Sequence, residues 1–93
     1  MDMKLEEYRE KIDAVDEKLV ALFAERMELS RAIAGYKKEN GLPVLDASRE
    51  KEKLKSAAER SPAELREDTR RLYALLFELS RDYQRELIGK ERG

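Results

Sequence analysis

Apolar side chains recur at Leu5, Tyr8, Ile12, Val15, Leu19 and Leu22, and again at Leu29, Ile33 and Tyr36, three or four residues apart. That spacing is the beat of a helix with an apolar seam, and it predicts one long helix over residues 5–37. Glu6, Glu10, Asp13, Glu17, Lys18, Glu25 and Glu28 fall off the seam and form its solvent face. Residues 1–4 are expected to fray, with Asp2 placed to cap the helix. Gly35 costs about 1 kcal/mol relative to Ala inside such a helix, which calls for close packing or a loosened last turn. Lys37 and Lys38 suit the C-terminal dipole, and Asn40-Gly41 supplies the stop.

Pro43 keeps the chain from continuing as helix through the short loop at 41–45. A second helix is expected from Asp46 or Ser48 to about Arg60, with Leu54, Ala57 and Ala58 as a thin apolar face. Ser61-Pro62-Ala63-Glu64 then reads as a helix start, with Ser as cap, Pro at the first helical position and Glu closing a capping box. Leu65, Leu72, Leu76, Leu79, Tyr83 and Leu87 carry the third helix, on which Ser80 and Gln84 share a face one turn apart. Residues 89–93 are expected to form a loose tail. The fold class is therefore all-α, three helices in a single domain over residues 1–93.

Length sharpens this picture. A helix over residues 5–37 spans roughly 50 Å, whereas a compact chain of this size has a radius of gyration of about 12 Å. One end of the helix must project with its seam uncovered, so a second copy of the chain is the expected cover. Charged residues make up 44% and apolar residues 41%, with a formal net charge of −1, and a nucleic-acid module would show a basic excess instead. There is no Cys and no His, which excludes disulfides, thiolate chemistry, imidazole catalysis and most zinc sites. Neither a signal peptide nor a transmembrane span is legible, so the default location is cytoplasmic and no membrane partner is expected.

One position breaks the seam. Between Leu22 and Leu29 the pattern calls for an apolar residue, and the chain has Arg26. A guanidinium keeps its proton, so on a buried face it must meet an anion or carry a large desolvation penalty. Arg9 and Lys37 each lie one residue beyond a seam position. Taken singly, each candidate has an ordinary explanation. Arg26 fits a structural ion pair, Arg9 a snorkelling side chain, Lys37 a dipole partner and Asp46 an N-cap. Arg49 and Glu50 fit an exposed first turn, and Ser80 and Gln84 fit polar inclusions in a packed face. Taken together, fixed cations with uncharged donors make a site for a small polyanion. Any catalysis there would work through electrostatics and restraint rather than nucleophilic attack.

The ordered set Arg9-x-x-Ile12-Asp13-x-x-Asp16, Arg26, Tyr36-Lys37, GLPVLDASRE at 41–50, and Leu79-Ser80-x-x-Tyr83-Gln84 resembles the all-helical chorismate mutases over nearly the whole chain. The resemblance implies intertwined homodimers of three-helix protomers with paired first helices. It also implies the rearrangement of chorismate to prephenate, towards phenylalanine and tyrosine, without cofactor, metal or covalent intermediate. On that resemblance Arg26 and Arg9 bind the two substrate carboxylates, with Arg9 coming from the other protomer, and Arg49 supports the carboxylate cluster. Lys37 and Gln84 donate to the ether oxygen of the breaking bond, Glu50 holds the substrate hydroxyl, the Asp46 backbone assists and Ser80 contacts a carboxylate. Leu45 stands where some relatives carry a polar or basic residue, a departure that bears on how one carboxylate is held.

Two alternatives remain open at this point. An isochorismate-pyruvate lyase shares the fold and much of the cationic set, although Asp46, Arg49, Glu50 and Ser80 together favour the mutase. A non-catalytic helical dimerisation module leaves Arg26 in the seam unexplained. No regulatory domain is legible, so feedback inhibition within this chain is not expected, and the sequence leaves open whether it is free-standing or excised from a larger enzyme.

Overall fold

The structure is a computed structural model that describes the backbone of residues 3–92 and the side chains of residues 4–89. It is all-helical in these residues, with α1 at Met3–Glu39, α2 at Ala47–Arg60 and α3 at Arg66–Arg92, the last entered through a 3₁₀ turn at Ala63–Leu65. The expected cap Asp2 lies outside the described residues. At about 1.5 Å per residue α1 accounts for nearly all of the 58 Å long axis.

Local chemistry sets each boundary. α1 ends where Gly41 adopts φ +62°, the left-handed region that a Cβ disfavours. The Leu42 N–H donates to the Lys37 carbonyl at 2.8 Å and the Gly41 N–H to the Lys38 carbonyl at 3.3 Å, the paired bonds of a Schellman stop. α2 starts at Asp46, whose Oδ1 accepts from the Arg49 N–H at 3.1 Å, so the expected N-cap is in place. α3 starts differently from the sequence expectation. The Ser61 N–H and hydroxyl both donate to the Ala58 carbonyl, which makes Ser61 the end of α2. With that N–H occupied there is no donor for Glu64 to cap, and Pro62 (ψ 147°) stays extended ahead of the 3₁₀ turn. The expected loose tail is also corrected: α3 runs through Gly89 to Arg92.

α3 packs against both α1 and α2. On α3, Phe77 is buried, with Tyr73 edge-on to it at 6.1 Å between ring centroids. Neither ring belonged to the leucine set expected on this helix, and Leu65, Leu72 and Leu79 are exposed. On α1 the buried residues are Ser30 and Ala34, with Arg26 and Lys37 partly covered. The face α1 turns to α3 is therefore the stripe 26, 30, 34, 37, whose small central members let the two helices approach closely. Most of the apolar seam faces elsewhere, with Leu29 and Ile33 at the margin of the stripe. Leu5, Tyr8, Ile12, Val15, Leu19, Leu22, Leu29, Ile33 and Tyr36 are all exposed, and every residue from 4 to 25 is uncovered. A Cβ at Gly35 meets nothing within 4 Å, so the close packing expected there does not occur within one chain. The radius of gyration is 17.2 Å, well above the value of about 12 Å for a compact chain of this length.

Candidate active site

Between α1, the start of α2 and the C-terminal half of α3 lies a cleft of about 400 Å³, within the size range of small-ligand sites. It gathers Arg26 and Lys37 from α1, Asp46, Arg49 and Glu50 from the α2 start, and Ser80 and Gln84 from α3. Seven of the eight residues singled out from the sequence thus line one space. Arg9 is the exception. It lies 17 residues before Arg26 on the same straight helix, roughly 25 Å away. There it is exposed and pairs with Glu6 across one turn at 3.0 Å.

Arg26 departs from its ordinary explanation. Among the described residues no carboxylate pairs with it, and its guanidinium lies over the Phe77 ring at 5.5 Å. A flat aromatic face holds the cation in place and leaves its fork of donors unused. Lys37 donates to the Val44 carbonyl at 2.6 Å, tying the end of α1 to the loop before α2. Two further N–H bonds of the ammonium remain for a ligand.

Three polar lining residues, Arg81, Lys53 and Ser30, were not singled out from the sequence. Arg81 pairs with Glu50 across the α2–α3 junction, both side chains being about three-quarters buried. Lys53 lies one turn beyond Glu50 on α2 and adds another cation. Ser30 is buried, with its Oγ 2.6 Å from the Ser80 Oγ. Its spacing of four from Arg26 was the one signal that placed it on the same face. Gln84 is buried as well; its Nε2 donates to the Ser80 Oγ at 3.1 Å, while its Oε1 has no partner among the described residues.

Five cations therefore surround this cleft against two carboxylates, of which Glu50 is already paired with Arg81 and Asp46 caps α2. The unbalanced charge suits a small anion with several acceptors. Among the described residues no cluster of three or more acidic, His or Cys side chains is placed to hold a metal ion. No helix among them is long and apolar enough to cross a membrane.

Known proteins share this architecture. A structure described as a conserved hypothetical protein from Pyrococcus furiosus superposes with a TM-score of 0.75 at 33% identity, over 90% of this chain and 99% of that one. A chorismate mutase from Methanocaldococcus jannaschii is 46% identical over 48 residues, which is 52% of this chain and 48% of that protein. The alignment thus spans about half the length of that curated relative. A family profile described as chorismate mutase type II matches residues 8–85, from the N-terminal part of α1 to just past Gln84, and so takes in all eight candidate residues. On that match across most of its length, the chain belongs to the type II chorismate mutase family.

Proposed function

We propose that the chain catalyses the rearrangement of chorismate to prephenate as a homodimer whose two sites each take Arg9 from the partner protomer. The observation that carries this reading is Arg26: a half-covered guanidinium, seated on Phe77, without a carboxylate partner, at the wall of a cationic cleft. A structural ion pair would have left it neutralised, whereas a dianionic substrate gives it the anion it lacks.

The reaction suits the groups present. It is unimolecular: the ether C–O bond breaks as a new C–C bond forms, and no atom enters or leaves. The flexible substrate must be held with its two reacting ends face to face, which is work for a rigid set of cations around a small cleft. Negative charge builds on the ether oxygen as its bond stretches. The free N–H bonds of Lys37 and Gln84 are the donors suited to meet it. A millionfold acceleration requires about 8 kcal/mol of transition-state stabilisation, within reach of a few charge-assisted contacts in a site poor in water.

The dimer is supported by the uncovered seam of α1 and by the position of Arg9. Apolar side chains repeated over more than 30 residues of one helix need a cover that this chain does not supply itself. A second copy aligning its own α1 along the seam would also carry an arginine into a site it cannot reach within its own protomer.

The deciding experiment follows chorismate absorbance with purified protein and identifies the product, with isochorismate run in parallel. Prephenate from chorismate is the expected result. Pyruvate from isochorismate, without prephenate formation, would replace this reading with a lyase, and no turnover of either would leave a dimerisation module.

Gln84→Glu tests the ether-oxygen assignment. The amide donates at any ordinary pH, whereas a carboxyl in its place donates only when protonated. Ionised, it sets negative charge beside an oxygen that is itself becoming negative. The variant is expected to lose most activity at neutral pH and to recover as the pH falls, while wild type stays comparatively flat. The measurement is kcat/KM against pH for both proteins, with circular dichroism following the fold. Wild-type efficiency of the variant at neutral pH would remove Gln84 from the ether oxygen.

A further inference from the structure

We infer that Ser30 is a positioning residue for the site, acting through Ser80; this rests on the mutase reading above. Hydrogen-bond accounting carries the inference. Ser30 is 4% exposed, and its hydroxyl has one partner among the described residues, the Ser80 Oγ at 2.6 Å. A buried hydroxyl that kept its proton to itself would leave a donor unsatisfied, so Ser30 donates and Ser80 accepts.

Ser80 also accepts from the Gln84 Nε2 at 3.1 Å. A hydroxyl oxygen has two acceptor positions and one proton. With donors from α1 and α3 filling both positions, the Ser80 proton is directed away from both and remains for an anion in the cleft. The same arrangement fixes the Gln84 amide with its amino end at Ser80, so the second N–H of that group stays available too. Ser30 touches no ligand in this scheme. It sets the direction of the donors that do.

Removing the Ser30 hydroxyl empties one acceptor position on Ser80 and lets its hydroxyl rotate. The buried Gln84 Oε1, which has no donor among the described residues, then becomes the natural acceptor for the Ser80 proton once the amide turns end for end. Ser80 would then point its proton at Gln84 instead of the ligand, and the amide would present a different end. The α1–α3 packing has no such need for Ser30, because alanine fits the same space and favours the helix.

The experiment is a double-mutant cycle on purified protein with chorismate as substrate. Ser30→Ala is expected to lower kcat/KM by about tenfold, less than the loss of a direct oxyanion donor because it acts one bond removed. In a Ser80→Ala background the same change is expected to have less than about a twofold effect, since its only route is gone. Ser30→Thr keeps the hydroxyl and is expected to restore most of the activity. An equal loss in both backgrounds, or unchanged turnover in Ser30→Ala alone, overturns the inference while leaving the mutase reading intact. Absence of prephenate formation by wild type overturns the reading itself, and the role given to Ser30 falls with it.

Discussion

Arg26→Ala is expected to remove prephenate formation, lowering kcat/KM by on the order of 10³-fold, while the unfolding midpoint moves by only a few degrees. The two halves of this expectation come from the same geometry. Arg26 has no carboxylate partner among the described residues, so its removal leaves no uncompensated negative charge in the fold. What the fold loses is the cation–aromatic contact with Phe77, worth roughly 0.5–1 kcal/mol at a partly covered position. In a domain of this size that corresponds to a shift of roughly 2–8 °C. The substrate loses far more. A charge-assisted, two-pronged contact to a carboxylate is worth several kcal/mol where the bound substrate excludes water from it, because the anion is left desolvated and unpaired when the arginine is gone. The measurements are turnover of chorismate and thermal unfolding of the same preparation. Near-normal turnover would show that Arg26 does not hold the substrate. A collapse of both stability and turnover would make it a structural residue after all.

How much of this was legible in the sequence depends on which force sets each feature. The length and class of the helices were legible because periodicity and stop chemistry are local: Asn40-Gly41 ended α1 and Asp46 capped α2 where the residue types required. The start of α3 was misread because Ser61 can cap forwards or close backwards, and the choice depends on an Ala58 carbonyl already in place at the end of α2. The packing faces were the larger gap. Hydrophobicity marked the seam of α1 as its buried face, yet α3 lies on the stripe through Ser30 and Ala34. Two small residues carry little hydrophobic signal, and nothing local says which of two faces an intramolecular neighbour will take. Of the seven candidate residues that meet in the cleft, Arg26 was marked by a charge where an apolar residue was due, Lys37 by its place beside that seam, and the other five by the family pattern. Arg81 and Lys53 escaped because a cation at a helical position that looks exposed carries no mark until a cleft is seen beside it.

The position of Arg9 leads to the other large effect. Homodimers of Arg9→Ala and of Lys37→Ala are each expected to be nearly inactive, and mixing them is expected to restore activity. Lys37 lines the cleft of its own chain, whereas Arg9 lies exposed on the uncovered half of α1, far from that cleft. If each site takes Arg9 from the partner, unfolding the two variants together and refolding them as mixed dimers rebuilds one site with both residues. The second site of the same dimer lacks both. Random pairing at equal amounts makes half of the dimers mixed, each with one of its two sites intact, so roughly a quarter of wild-type activity should return in a symmetric two-site dimer. A site built within one chain gives a different result: every site then lacks either Arg9 or Lys37, and mixing restores nothing. Mixing the folded variants without unfolding is the control. If the α1 seams are buried against each other in the proposed dimer, exchange of subunits should be slow, and recovery should appear only after the chains have been separated.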